Sequence, residues 1–379
     1  MSSLKRFAIL MMGLLVFTLG NAGLGLAENE GYKLPAVTGP YGIGTLVLPM
    51  VDERRPGDYA DGSHTPGREM MTQIWYPADQ GADGPKSIFV DELTANYEAK
   101  TSTSLKNFLL SVKTHAVVGA KVAAGREQFP LLIFSPGLGM YYSAYQTILE
   151  DLASCGYIVI GVNSPNIAGI TAFPDGHSYL KTDFSRFHSE EEALKYLGEQ
   201  LRVVADDLKF VINRLSMLSR NMNFPLAGRI NFFRVGCFGH SFGGAVALQA
   251  CIDSPWIAAA TNLDGTLYGD DYKRMIYKPV MFVGSGPDTT WDICWNNLRG
   301  GSYLIQVEGS DHRSFSDTYL IVEACYNYDI TPFEPKRVIQ ITRDCVKTFF
   351  NCHLKYAAPD RMNELAGKYE EIKLEAREY

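Results

Sequence analysis

The pentapeptide Gly239-His240-Ser241-Phe242-Gly243 constrains this chain more than any other stretch. An apolar run, Val235 to Phe238, leads into it, and an Ala-rich run, Ala245 to Ala250, follows it. Strand, sharp turn and helix in that order, with a serine at the apex, make a nucleophile elbow. The glycines are steric requirements: a Cβ at position 239 or 243 would strike the turn and the adjoining helix.

The rest of the chain reads as alternating strands and helices. Thr45 to Val51 and Met70 to Tyr76 read as strands, and the Gly-, Pro- and charge-rich segment between them as a surface loop. Leu131 to Ser135 and Tyr157 to Val162 are continuous apolar runs, as expected of strands buried on both faces. Further strands are predicted at Ala258 to Leu263, Val280 to Gly284 and Tyr303 to Val307. Helices are predicted at Ser143 to Ala153, Ser189 to Leu218 and Lys336 to Leu354. In the second, Leu197, Leu201, Val204, Leu208, Val211 and Leu215 recur every three or four residues, and Ser189 with Glu192 forms a capping-box signature. The alternation implies an α/β fold: a mostly parallel central sheet with helices on both faces. With 46% hydrophobic and 12% aromatic residues, 379 residues suffice for one large core. The predicted division is residues 1–27 as a signal peptide, 28–355 as one domain, and 356–379 as a charged tail, solvated helix or disordered.

The signal peptide rests on Lys5 and Arg6, an apolar run from Phe7 to Leu19, and small residues at Gly20-Asn21-Ala22 and Gly25-Leu26-Ala27. The run is shorter than the roughly 20 residues that span a bilayer, so cleavage and a secreted or periplasmic protein are expected. The net charge of −7, with no long block of either sign, argues against a nucleic-acid partner. Seven cysteines leave at least one unpaired, and none forms a CxxC or zinc-like cluster. Cys237 and Cys251 flank the elbow as packing residues; a disulfide at Cys294 or Cys325 is compatible with export.

A serine hydroxyl is a weak nucleophile near neutral pH and needs an imidazole oriented by an acid. In an elbow-type site the chain order is Ser, acid, His. Only His312 and His353 follow Ser241. His353 ends the predicted C-terminal helix, a poor place for an active-site loop, whereas His312 follows the strand Tyr303 to Val307. His312 is therefore the candidate base, and His240 a residue that shapes the elbow. Two acids compete. Asp264 ends one strand and Asp288 follows the next, and position does not separate them. The oxyanion donors are expected from the Phe242 amide and from the loop Pro136-Gly137-Leu138-Gly139, where Leu138 is the candidate. Two stretches, 87–126 and 163–188, lack strand signals. They are read either as packing against the core, with Leu105, Phe108, Leu109 and Val112 on one helical face, or as an acyl-binding or interfacial lip.

This constellation resembles the plasma, or type II, platelet-activating factor acetylhydrolase family of α/β-hydrolases over roughly residues 35 to 350. The carrying motifs are Gln73-Ile74-Trp75-Tyr76-Pro77-Ala78, Phe134-Ser135-Pro136-Gly137-Leu138-Gly139, Gly239-His240-Ser241-Phe242-Gly243-Gly244, Asn262-Leu263-Asp264-Gly265 and His312. The resemblance implies the triad Ser241, Asp264 and His312, with oxyanion amides at Leu138 and Phe242, and it tips the acid to Asp264. One departure is Pro136, where the family has His before the Gly-Leu-Gly loop. Asp288, in turn, occupies the acid position of many other α/β-hydrolases, including polyester-cleaving ones.

The expected activity is a serine esterase without metal or organic cofactor. By resemblance it cleaves short or oxidised sn-2 acyl esters of phospholipids, or similar small esters, with peripheral contact to lipid surfaces as an extension. The alternatives are a broad carboxylesterase, a polyesterase or lipase using Asp288, a serine peptidase, and a non-catalytic α/β-hydrolase that binds a ligand. The last usually lacks a triad member, whereas this chain keeps a full set.

Overall fold

The structure, a computed structural model, describes residues 31–326, 331 and 333–377; the expected signal peptide lies outside the described residues. In chain order the strands are β1 (Gly42–Asp52), β2 (Gly57–Asp58), β3 (His64–Thr65), β4 (Arg68–Ala78), β5 (Lys86–Ile88), β6 (Lys113–Val118), β7 (Phe129–Ser135), β8 (Ile158–Asn163), β9 (Ile170–Ala172), β10 (Ser178–Leu180), β11 (Ile230–His240), β12 (Ile257–Leu263), β13 (Val280–Gly284), β14 (Ser302–Val307) and β15 (Ile372–Arg377). Eleven of them form one sheet in the order β15-β14-β13-β12-β11-β7-β8-β4-β1-β6-β5, and β2–β3 and β9–β10 are separate pairs. From β14 to β8 all neighbours are parallel. β4 and β15 flank this centre antiparallel.

The apolar runs explain the centre. Every residue of β7 and β8 is buried, as a strand covered by helices on both faces must be. One face packs on helices Gln146–Ser154 and Pro335–Leu354, the other on Glu190–Leu218 and Phe242–Asp253. The predicted stripe of Glu190–Leu218, Leu197 to Leu215, is buried at each position. Each such side chain contributes about 1.5–3 kcal/mol by leaving water. Ser189 accepts from the Glu192 amide, but the Glu192 carboxylate accepts from His188, one residue before the expected partner. This is the α/β-hydrolase fold.

Topology places the site. The chain passes from β7 to β8 and later resumes at β11 on the other side of β7. The strand order therefore reverses between β7 and β11, and the crevice beyond their carboxyl ends is the expected ligand position.

Two sequence expectations change. The charged tail is neither a solvated helix alone nor disordered. It forms a helix, Arg361–Lys368, and then β15, the edge strand paired with β14. Its charges obscured it because an edge strand keeps one row of polar side chains. They are held locally: Arg337 grips Glu371 through two bonds, Lys373 pairs with Glu308, and Trp295 donates to Glu375 at 2.8 Å. The stretch 87–126 contains β6, a strand too short to show a clear pattern. Its Leu105, Phe108, Leu109 and Val112 are buried in the core, so the packing reading holds there. All seven cysteines are unpaired, and six are buried. No described helix is long and apolar enough to cross a membrane.

Candidate active site

Ser241 sits at the end of β11 and caps the helix Phe242–Asp253 with φ 55° and ψ −127°. A non-glycine residue there costs about 1–3 kcal/mol, and the surroundings must enforce it. They do. A Cβ on Gly243 would lie 2.0 Å from the Ser135 carbonyl oxygen, and one on Gly239 would lie 2.2 Å from the Gly243 carbonyl oxygen. Helix and strands thus close around the turn so tightly that only glycine fits. The Ser241 amide also donates to the Leu263 carbonyl at 2.8 Å, which ties the elbow to β12.

Three sequence candidates meet at this apex. His312 Nε2 lies 2.9 Å from Ser241 Oγ, and His312 Nδ1 lies 2.7 Å from Asp264 Oδ2. An ionised carboxylate only accepts, so Nδ1 carries the proton and Nε2 is left to accept from the serine hydroxyl. His312 opens a one-turn helix, His312–Phe315, whose start Asp311 and Ser314 fix by reciprocal bonds. Tyr319 holds the Asp311 carboxylate at 2.5 Å.

Asp264, also at positive φ, follows β12. Asn262 clasps the turn by bonding both the amide and the carbonyl of Gly265, and Trp291 donates to the same carbonyl. Burial alone would raise the Asp264 carboxyl. Hydrogen bonds from His312 and from the Ser285 amide outweigh it and hold the carboxyl below its ordinary value. Asp288 stands apart from the imidazole. Its carboxylate caps the helix Thr289–Asn297 through the Thr290 amide and hydroxyl, and it accepts from Thr266. The polyesterase reading that rested on Asp288 as acid loses its geometric basis.

The loop after β7 carries Leu138. It is pinned by bonds from the Gly139 amide to Ile167 O at 2.8 Å and from the Met140 amide to Gly137 O at 2.9 Å. Among the described residues, the Leu138 and Phe242 amides donate to no protein acceptor. Both residues line the same cavity as Ser241 and His312. Two free N–H groups beside the hydroxyl suit an oxyanion.

That cavity measures about 580 Å³. Its apolar wall comes from Met140, Leu194, Leu267, Tyr268, Tyr272 and Tyr319. None of its lining residues comes from 87–126 or 163–188, the stretches considered as a lip. The wall is built instead by the loop after β7, the segment after Asp264, the helix Thr318–Tyr326 that follows the His312 turn, and the start of the long helix. Sequence reasoning also missed Ser285 and Tyr145. Ser285 is legible as the first residue after a strand beside the acid; Tyr145 carries no such signal.

His240, the proposed elbow residue, is buried, and burial and the adjacent His312 push its pKa well below the ordinary imidazole value. It stays neutral and leaves His312 as the imidazole facing the serine. Among the described residues there is no cluster fit to hold a metal ion. The arrangement can carry an acyl group on a serine while two amides hold the charge that develops on the carbonyl oxygen.

The family model described as platelet-activating factor acetylhydrolase, isoform II, matches residues 26–357. A probable 1-alkyl-2-acetylglycerophosphocholine esterase of Arthroderma benhamiae is 24% identical over 348 residues, covering 83% of this chain and 84% of the relative. A platelet-activating factor acetylhydrolase of Gallus gallus is 25% identical over 340 residues, covering 78% of this chain and 76% of its own. Among solved structures, a ferulic acid esterase from Streptomyces cinnamoneus superposes with a TM-score of 0.78 at 28% identity, covering 91% of this chain and 99% of that one.

Proposed function

The chain belongs to the platelet-activating factor acetylhydrolase, isoform II, family and is a carboxylic-ester hydrolase, and we propose that Ser241, His312 and Asp264 carry its chemistry. The Ser241 oxygen attacks the ester carbonyl while His312 Nε2 takes its proton. The Leu138 and Phe242 amides hold the oxyanion. Collapse expels the alcohol, which receives the proton from His312. Water, deprotonated by the same nitrogen, then attacks the acyl-enzyme and releases the acid. Asp264 keeps the imidazole in the required tautomer. The observation that carries this reading is the 2.9 Å and 2.7 Å pair of contacts that His312 makes with Ser241 and Asp264 at the cavity floor.

The substrate is an ester with a short or oxidised sn-2 acyl chain on a glycerophospholipid, or a similarly small ester. The family, the relative named for 1-alkyl-2-acetylglycerophosphocholine and the relative named a platelet-activating factor acetylhydrolase support this. A second reading, aryl esters, is favoured by Tyr268, Tyr272 and Tyr319 in the wall and by the ferulic acid esterase neighbour. We place the enzyme outside the cytoplasm on the strength of its N-terminal Lys5-Arg6 and apolar run. Purified protein assayed on 2-acetyl ether phospholipids, long-chain phospholipids, nitrophenyl acetate and feruloyl esters tests both readings. A preference for the acetyl phospholipid supports the first and a preference for the feruloyl ester the second. No turnover of any ester would end both.

A further inference from the structure

A directional hydrogen-bond chain runs beneath the site and joins its two halves. His240 Nε2 lies 2.8 Å from the backbone carbonyl of His312. A carbonyl only accepts, so Nε2 carries the proton of the neutral ring, and Nδ1 must accept. Its partner is the Tyr145 hydroxyl, at 2.8 Å. That hydroxyl, having given its proton to His240, accepts from the Gly137 amide at 3.3 Å. Every group in the sequence Gly137 N–H, Tyr145 O–H, His240 N–H, His312 C=O therefore has one consistent polarity.

We propose that Tyr145 and His240 are positioning residues that couple the oxyanion loop to the general base. Gly137 precedes Leu138, the loop's oxyanion donor, so the bond to Tyr145 sets where that amide points. At the other end, His240 holds the backbone of His312, so its ring reaches Ser241 and Asp264 together. Both Tyr145 and His240 are buried, which keeps water from replacing the bonds. A Cβ on Gly137 would lie 3.2 Å from His240 Nδ1 and 3.3 Å from the Tyr145 oxygen, so loop, tyrosine and histidine are in contact. The low pKa of His240 fits the neutral tautomer that the chain needs. Tyr145 does not line the cavity, and His240, which does, has both ring nitrogens engaged by these bonds, so their effect falls on the geometry that the transition state requires.

The inference rests on the proposed triad, and the test separates the two. Kinetics on a nitrophenyl ester compare Tyr145→Phe, His240→Leu and His240→Gln with the parent, with Ser241→Ala as the reference. Glutamine offers an N–H near the position of Nε2, whereas leucine offers none. For Tyr145→Phe, which removes the hydroxyl's two hydrogen bonds, to Gly137 and to His240, kcat should fall by about 3- to 10-fold, with KM within about twofold. His240→Leu should fall further, and His240→Gln should recover part of that loss. Tyr145→Phe added to His240→Leu should cost little more, because the chain is already broken. Unchanged kcat in Tyr145→Phe, or equal damage in the Gln and Leu variants at matched thermal stability, overturns the coupling. If His240→Leu does not fold, the Tyr145→Phe and His240→Gln pair decides, with full kcat in Tyr145→Phe rejecting the proposal. Activity persisting in Ser241→Ala would instead remove the triad reading itself.

Discussion

Ser285, the first residue after β13, gives both its amide, at 2.7 Å, and its hydroxyl, at 3.1 Å, to Oδ1 of Asp264 at the end of the neighbouring β12. The same hydroxyl also reaches Oδ2, at 3.2 Å, the oxygen that accepts from His312 Nδ1 at 2.7 Å. Asp288, three residues further on, is occupied with its own helix. Asp264→Asn should lower kcat by on the order of 10³–10⁴, the loss expected when the imidazole takes the wrong tautomer. Asp288→Asn should keep kcat within about threefold and change stability by only a few tenths of a kcal/mol, because an asparagine oxygen caps a helix about as well as a carboxylate oxygen. Ser285→Ala keeps the amide bond and should lose only about 3- to 10-fold. Steady-state kinetics and urea melts read all three. Equal activity losses in the two aspartate variants would reject Asp264 as the acid.

Two glycines should respond in opposite directions. Gly243→Ala drives a Cβ to 2.0 Å from a strand carbonyl that cannot move without opening the sheet. Activity should vanish and the folded yield should drop. Gly198 lies inside the helix Glu190–Leu218, where an added Cβ meets nothing within 4 Å. Gly198→Ala should therefore stabilise the protein by about 0.5–1 kcal/mol, the helix-interior difference between the two residues. Chemical denaturation measures both, and a destabilised Gly198→Ala would contradict the open space above that helix.

The parts of this fold that the sequence reveals are those where burial is two-sided or strictly periodic. β7, β8 and β13 are continuous apolar runs, and Leu197 to Leu215 mark one helical stripe. β15 hides because Lys373, Glu375 and Arg377 sit at an edge and answer to local partners, Glu308, Trp295 and Asn296, rather than to a core. In the site, Ser241 and His312 follow from motif and chain order, since only two histidines lie downstream. The acid needed more: Asp264 ends one strand and Asp288 follows the next, both at one edge of the sheet, and only the turn clasped by Asn262 and Trp291 shows which one faces the imidazole. The cavity wall was illegible because Leu194, Tyr268 and Tyr319 come from three separated segments with no shared pattern.

The cysteines make the redox expectation concrete. Burial pushes the thiols of Cys251, Cys294 and Cys325 up to about 12, so they are neither reactive nor paired. Only Cys155 is partly exposed. A thiol reagent should label about one cysteine in the native protein and seven in denaturant, and reductant should leave the melting temperature unchanged. A reductant-sensitive melt would show a disulfide that this packing does not contain.

Asp317 gives a pH signature distinct from that of the triad. It follows the His312 turn, is fully buried, and accepts from the Thr147 amide at 2.9 Å through Oδ2, while Oδ1 has no partner among the described residues. Burial pushes its pKa up to about 7, and nearby Glu150 adds to the effect. Unfolded, the same carboxyl titrates near 3.9. Between about pH 4 and 7 the folded protein therefore holds a proton that the unfolded chain has released. Linkage then requires the stability contributed by this group to fall as pH rises through that window. Asp317→Asn keeps an acceptor for Thr147 and carries no titrating proton. Near pH 4.5 the variant and parent should be close in stability; at pH 7.5 the variant should be the more stable by about 3 kcal/mol. Urea melts at the two pH values check this, and a stability gap that does not widen with pH would mean that the Asp317 carboxylate is solvated in the folded state.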